Sequence, residues 1–360
     1  MLVAMSGGVD SSVALLRILE AGYEAVGVTM KLWEYDQVGG NIVQDTNCCS
    51  VETINGAKLV CDRLGVPHYT IDFTRIFKEN VVDNFAEEYL NGRTPNPCVR
   101  CNSFVKWEAF FNQAKILNAD LIATGHYARI DLAHDIPKLR KGLDPQKDQS
   151  YVLWGIPRHT LSRTLLPLGD LTKKEVRLIA REHQLETSDT PESMEICFVV
   201  DNDYKRFLNE YRPDEMAAIK PGEIFEDGNV VGIHEGYTHF TIGQRKGLGL
   251  SRPEPRYVRR IDSKKNRIYI TRKDFLWDTN CLVSKVNWLV DIPALPINIE
   301  VQIRYNSTPV AAEISSENEF LRIKFAEPRL SVTPGQSIVF YEDDLVLGGG
   351  IIELDPELDS

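Results

Sequence analysis

No stretch of this sequence approaches the run of about 20 apolar residues that a membrane-spanning helix requires, so a helical membrane protein is not expected. The opening Met1-Leu2-Val3-Ala4-Met5 leads straight into glycines, without a basic n-region or a cleavage site. No secretory signal is therefore expected, and a cytosolic setting with no membrane partner follows. Internal repeats and low-complexity segments are also missing, which removes solenoids and disordered linkers. Neither of two common nucleotide fingerprints is present at the N-terminus: no lysine follows the glycines, and the spacing is not Gly-x-Gly-x-x-Gly. Cysteines are few, seven in 360 residues. In a reducing compartment they point to catalysis, metal binding or burial rather than to structural disulfides.

What is present is the composition of a soluble globular chain, 43% hydrophobic and 26% charged, and long enough for two or three domains. The net charge of -11 taken alone argues against a nucleic-acid partner. One segment runs the other way. Residues 241–273 hold eleven Lys or Arg and two acidic residues, Glu254 and Asp262. Such a segment either concentrates positive field on one face or is a solvated hairpin surface.

The first part alternates strand and helix. Leu2 to Met5, Ala25 to Met30, His68 to Phe73 and Asp120 to Thr124 read as strands. Ser11 to Ala21, Val51 to Leu64, the runs marked by Phe77, Val81, Phe85, Tyr89 and by Phe104, Trp107, Phe111, and Thr172 to His183 read as helices. Tyr204 to Tyr211 reads as a linking helix. After Pro221 come short strands and tight turns: Glu226-Asp227-Gly228-Asn229 is a hairpin signal, and Ile297 to Tyr305 alternates apolar and polar. The fold class is therefore an α/β parallel-sheet, Rossmann-like N-terminal domain followed by small all-β, barrel-like domains. The expected division is 1–202, a small mostly-β domain 203–276, and a C-terminal β-barrel 277–360.

Ser6-Gly7-Gly8-Val9-Asp10-Ser11-Ser12 lies between the first strand and the first helix. Glycines let backbone N–H groups close on an anion, the helix N-terminus adds unpaired donors, and the serine hydroxyls can donate more. Asp10 would repel phosphate; it makes sense as a helix cap or as a partner to magnesium. The plainer alternative is a glycine turn that starts a helix. Thr94-Pro95-Asn96-Pro97-Cys98-Val99-Arg100-Cys101-Asn102 places Cys101 just before or within a first helical turn, where the dipole favours thiolate. Cys-x-x-Cys is also half a zinc site, with Cys48-Cys49 as a poorly chelating second half. Cys197, in an apolar Ile196-Cys197-Phe198-Val199 run read as a strand, is on its own a small core residue.

The loop resembles the PP-loop of the ATP-pyrophosphatases, which cleave between the α and β phosphates. The chain as a whole resembles the bacterial tRNA-specific 2-thiouridylases of that family. The resemblance rests on Met5-Ser6-Gly7-Gly8-Val9-Asp10-Ser11-Ser12, Cys48-Cys49-Ser50, Leu64-Gly65-Val66-Pro67-His68-Tyr69, Thr94-Pro95-Asn96-Pro97 with Cys101-Asn102, Thr124-Gly125-His126-Tyr127-Ala128-Arg129, Lys147-Asp148-Gln149-Ser150-Tyr151, Glu195-Ile196-Cys197-Phe198 and Gly243-Gln244-Arg245-Lys246-Gly247-Leu248. It implies ATP-dependent thiolation of the tRNA wobble uridine at C2, with ATP and Mg2+ as cofactors. It also implies a sulfur-donor protein, a cysteine desulfurase or relay carrier, as partner. By the same resemblance Ala4, Met5, Ser6, Gly7, Gly8, Val9, Asp10, Ser11, Met30 and Gly125 hold ATP. Cys101 is the nucleophile, and Cys197 carries the persulfide and ends in a disulfide with Cys101. Asn96, Pro97 and Cys98 meet the target base, while His126, Lys147, Asp148, Gln149, Arg304, Tyr305 and Gln336 contact tRNA. The chain departs from many members in having Cys98 where they have Asp, which puts two thiols close together. Two other readings are an amide-forming PP-loop synthetase, which needs neither Cys197 nor a basic β tail, and a non-catalytic RNA-binding relative, which has no need of Asp10 or the serines.

Overall fold

The computed structural model describes residues 1–33, 51–133, 136–190, 196–199 and 201–355. Cys48, Cys49, Ser50 and Glu195 lie outside the described residues.

The first seven strands are β1 (Leu2–Ala4), β2 (Val26–Lys31), β3 (His68–Asp72), β4 (Ile122–Ala123), β5 (Ala128–Asp131), β6 (Lys138–Lys141) and β7 (Thr164–Leu165). Five of them form a parallel sheet in the order β3-β2-β1-β4-β7. Leu2, Val3, Val28, Ile122 and Ala123 are all but inaccessible, as expected for strands covered on both faces. Helix α1 (Val9–Glu20) lays Val13, Leu15, Leu16 and Ile18 into the core. It stops at Gly22, whose φ of +81° closes a Schellman turn: Gly22 N–H bonds Leu19 O at 2.9 Å and Tyr23 N–H bonds Ile18 O at 3.2 Å. Helix Lys173–Glu182 starts on a capping box between Thr172 and Glu175.

The remaining strands are β8 (Gly222–Glu226), β9 (Asn229–His234), β10 (Tyr257–Asp262), β11 (Arg267–Thr271), β12 (Trp277–Trp288), β13 (Ile297–Gln302), β14 (Val310–Glu317), β15 (Phe320–Leu330), β16 (Ser337–Glu342) and β17 (Leu345–Glu353). Four make a small sheet, β10-β11-β8-β9, around Ile224, Val258 and Ile268. The hairpin at Asp227-Gly228 has both residues at positive φ, 51° and 79°, as the sequence signal required. The last six strands close on themselves through the β12–β17 pairing, giving an antiparallel barrel filled by Val283, Ile314, Ile323, Ile338 and Ile352. The Ile297–Tyr305 alternation ends early: β13 stops at Gln302, and Tyr305 is 42% exposed.

Nothing in the sequence announces the hairpin that adds to the barrel. The hairpin β5–β6 leaves the parallel sheet and joins the barrel, with Arg140 paired to Leu345 of β17. Arg129 and Arg140 both reach Asp344, at 2.7 and 2.6 Å. A hairpin that follows β4 in the chain is thus hydrogen-bonded to the barrel rather than to the parallel sheet.

Candidate active site

Strand order reverses between β1 and β4, and their carboxyl ends lie side by side. In a doubly wound sheet this is where the ligand crevice opens. Ala4, the last residue of β1, and Met5 lead into Ser6-Gly7-Gly8 and then into α1. Gly7 has φ +73°, and a Cβ there would lie 2.3 Å from the Thr53 carbonyl oxygen, so only glycine fits. Gly8 is the N-cap and offers no side chain, which leaves the first-turn N–H groups open to an anion. Ser11 Oγ donates to Gly8 O at 3.0 Å and accepts the Ser6 N–H at 3.2 Å, fixing the turn. Behind it Thr187 donates to Ser12 Oγ at 2.9 Å in a buried position. After β4, Gly125 lies flat against the start of α1: a Cβ there would sit 2.8 Å from the Asp10 carbonyl carbon and 3.0 Å from Ser11 N. Met30, near the carboxyl end of β2, is buried.

Asp10 departs from expectation. It is not the cap, which is Gly8, and it is not a free carboxylate awaiting a metal. Both its oxygens accept from Lys173 Nζ at 2.8 Å, and Oδ1 also accepts from Tyr127 OH at 2.7 Å. Lys173 is 12% exposed. The carboxylate is therefore neutralised by a lysine at the start of a distant helix.

The helix bearing the cysteines begins at Pro97, capped by Asn96 Oδ1 on Val99 N–H at 3.3 Å, and continues as a π-helical segment Cys101–Ala109 and an α-helix Phe110–Ile116. Cys98, not Cys101, stands in the first turn; Cys101 opens the second, beyond the strongest reach of the helix dipole. Cys98 is exposed, yet surrounding protein pushes its thiol up, with Lys106 opposing. Cys101 is buried in the core cluster against which Cys197 packs. Cys197 lies in a turn, not a strand, and its neighbour Phe198 is locked edge-on among Phe77, Phe85 and Phe207. That aromatic anchor fixes the position of Cys197. Lys106 also acts on His126, whose pKa burial and this lysine hold well below the usual range. His126 Nδ1 pairs with Thr124 Oγ1 at 2.8 Å. Among the described residues no cluster of three His, Cys, Asp or Glu could hold a metal ion.

Several residues expected to meet RNA have polar atoms engaged within the fold. Asp148 accepts from Gly142 N–H, Ser150 N–H and Ser150 Oγ at 2.8–3.1 Å. Gln149 Oε1 accepts the Tyr127 N–H at 2.9 Å, and Lys147 N–H bonds Asp144 O in the same turn. Arg304 donates to Ser331 O at 2.6 Å, and burial pulls its pKa down. Tyr305 stands edge-on to Tyr151 at 6.1 Å. Gln336 Nε2 bonds the carbonyls of Thr94 and Pro95, at 3.0 and 2.9 Å.

The basic segment is less positive in space than along the chain. Arg256 pairs with Glu226, Arg259 bidentately with Asp278 at 2.6 and 2.9 Å, and Arg267 with Glu223 at 3.0 Å, all acids from outside the segment. Arg245, Lys246, Arg272 and Lys273 stay exposed, with no acidic partner among the described residues. Arg245 and Arg252 also line a groove of about 380 Å³ with Arg256 and Leu248. Tyr127, Lys106 and Lys173 are the functional neighbours that sequence reasoning missed. The capping box marked the start of the last one's helix but not where its side chain would land.

A glycine anion loop at the switch point of a parallel sheet, in a domain that also carries a thiol-bearing helix, defines an α/β nucleotide-dependent enzyme. Family models described as tRNA methyl transferase HUP domain, tRNA methyl transferase PRC-barrel domain and Aminomethyltransferase beta-barrel domain match residues 1–201, 205–272 and 278–352. The tRNA-specific 2-thiouridylase MnmA of Carboxydothermus hydrogenoformans is 46% identical, covering 98% of this chain and 97% of the relative. That of Cytophaga hutchinsonii is 44% identical, covering 98% and 96%. A solved 4-thiouridine synthetase–RNA complex with bound ATP is similar at 16% identity and a TM-score of 0.35, covering 60% of this chain and 51% of that one. The chain belongs to the tRNA-specific 2-thiouridylase family.

Proposed function

We propose that this protein thiolates the wobble uridine of tRNA at C2, using ATP. The observation that carries the reading is the presence in one α/β domain of the Ser6–Ser11 anion loop and of Cys101 in the core cluster against which Cys197 packs. An amide synthetase has no use for the second feature, and a non-catalytic relative has no use for the loop. Residues 1–202 do the chemistry; 203–276 and 277–360 seat the RNA.

The loop fits a phosphate, because Gly7 and Gly125 leave room that a Cβ would fill. Ala4 to Ser11, Met30 and Gly125 hold the nucleotide. A resident magnesium ion does not fit Asp10, whose two oxygens are bound to Lys173; magnesium enters as MgATP. The uridine C2 oxygen takes the adenylyl group and pyrophosphate departs, its charge met by loop amides. A sulfur-donor protein leaves a persulfide on Cys197. Its terminal sulfur attacks C2 and AMP leaves, or Cys101 first displaces it as sulfide. In either route Cys101 bonds the inner sulfur of Cys197, and the resulting disulfide takes two electrons from a reductant to reopen. Asn96, Pro97 and Cys98 flank the base, which must leave the anticodon stack to arrive. Arg245, Lys246, Arg272 and Lys273 meet phosphates. Phe275 and Trp277, 58% and 49% exposed, stand beside the last two.

The test is incubation with MgATP, a sulfur source and unmodified tRNA, measuring AMP, pyrophosphate and 2-thiouridine together. All three are expected in equal amounts. Cys101→Ser and Cys197→Ser are each expected to stop thiolation while ATP and tRNA still bind. Full activity in Cys197→Ser refutes the persulfide step.

A further inference from the structure

The loop that precedes the two thiols cannot hold itself in place. In Thr94-Pro95-Asn96-Pro97 two of four residues have no backbone N–H, so the loop has little capacity to bond itself. Its fixings come from the barrel. Thr94 N–H bonds Pro334 O at 3.0 Å. Gln336 gives its amide nitrogen to both the Thr94 and the Pro95 carbonyls. Gly335, at φ +90°, lies so close that a Cβ would meet Thr94 O at 2.7 Å. Tyr151 ties the same seam, donating to Ser337 O at 2.8 Å and engaging the Asn96 side chain.

We infer that Gln336 is a positioning residue for the reacting loop. It acts before RNA arrives, holding the Thr94-Pro95 carbonyls so that Asn96 caps the helix on which Cys98 and Cys101 ride. This deepens the proposed sulfur transfer and rests on it for its kinetic arm alone. It also gives the carboxamide a task other than the RNA contact that the family resemblance suggests. The barrel turn that carries Gln336 is itself held by Arg304, on Ser331 O at 2.6 Å and on Thr333 Oγ1 at 3.2 Å, and Gln336 N–H bonds Thr333 O at 3.2 Å. Whatever seats on Arg304 and Tyr305 therefore bears on the segment that fixes the thiol helix. The carboxamide is the tie between barrel and loop that reaches both the Thr94 and the Pro95 carbonyls.

Gln336→Met keeps length and loses both N–H donors; Gln336→Glu loses them and sets a charge against two carbonyls. In the full-length, RNA-free protein, amide hydrogen exchange across residues 98–101 is expected to quicken about tenfold in the first variant and further in the second, since the cap opens locally when its loop is released. The tRNA dissociation constant is expected to stay within about threefold, while single-turnover thiolation at saturating tRNA falls about tenfold or more. Wild-type exchange in both variants overturns the proposal whatever happens to activity. A weakened tRNA affinity with normal exchange makes Gln336 an RNA contact alone and overturns it too. A wild-type protein that forms no 2-thiouridine would sink the sulfur-transfer reading, and the exchange measurement would still decide this one.

Discussion

Gly125→Ala adds a single methyl group where the β4 end meets α1. The three nearest atoms to that methyl are all backbone, at 2.8, 3.0 and 3.0 Å, so no side chain can swing away. Restoring ordinary contact moves the two segments apart by about 0.6 Å, and overpacking of this kind costs about 1–3 kcal/mol. Part of that cost falls on the fold, lowering the thermal midpoint by about 2–10 °C. The rest falls on the loop, because the displaced atoms belong to Asp10 and Ser11. A loop shifted by about half an ångström should bind MgATP about 10- to 100-fold more weakly. Gly22→Ala is the control: its φ of +81° makes any side chain costly, yet a Cβ there meets nothing within 4 Å. That variant should lose thermal stability and keep its ATP affinity. Calorimetric titration with MgATP, alongside thermal melts of both variants, separates the two effects. If Gly125→Ala binds MgATP within about twofold of wild type, the close approach does not shape the loop and the reasoning fails.

Lys173→Met should weaken MgATP binding about tenfold by leaving Asp10 uncompensated, and adding Asp10→Asn should recover most of the loss; a single variant with normal affinity refutes the neutralising role. Alanine at Arg245, Lys246, Arg272 and Lys273 should flatten the log–log salt dependence of tRNA binding by about 3, read by filter binding from low to moderate salt. Arg259→Ala should leave that slope alone and destabilise the fold by on the order of 2–3 kcal/mol, since Asp278 then lies buried without its partner; a changed slope would return Arg259 to the RNA. His234 is buried and its pKa is held below the usual histidine value by desolvation, with the nearby His239 pulling the same way and Glu235 opposing. The folded state refuses a proton that the unfolded state takes. This histidine therefore costs nothing above about pH 7 and removes up to about 1.4 kcal/mol per pH unit as pH falls below about 6.5, until its folded pKa is reached. His234→Gln should show a shallower loss of stability between pH 6.5 and 5 in urea titrations, and an unchanged slope would clear His234 of the effect.

The parallel sheet and the anion loop were legible because their signals are local: strand, glycine turn and helix follow one another within residues 2–20. The hairpin at Asp227-Gly228 was legible for the same reason. What could not be read was pairing at a distance. Asp10 and Lys173 are 163 residues apart, and nothing near either names the other. The eleven basic residues of 241–273 looked unopposed because Glu223, Glu226 and Asp278 lie outside that window. The dipole argument for Cys101 missed by one turn, since Asn96 and Pro97 start the helix early enough to leave Cys98 in the first turn. Ala128–Asp131 and Lys138–Lys141 alternate too briefly to announce strands, and their partner β17 is near the other end of the chain.

That last pairing sets a clock. Arg140 and Asp344 are separated by 204 residues, and at about 5–20 residues per second a ribosome needs about 10–40 s to cover the gap. Throughout that interval the hairpin has been made but its barrel neighbour has not, and the β6 edge stands open. The strand that waits is Lys138-Leu139-Arg140-Lys141, three cations in four residues. Charge of that density on an edge discourages pairing with another nascent chain. Arg140 and Lys141, which later bind the Asp343–Asp344 turn, thus guard during synthesis the same edge that they fasten once it is complete.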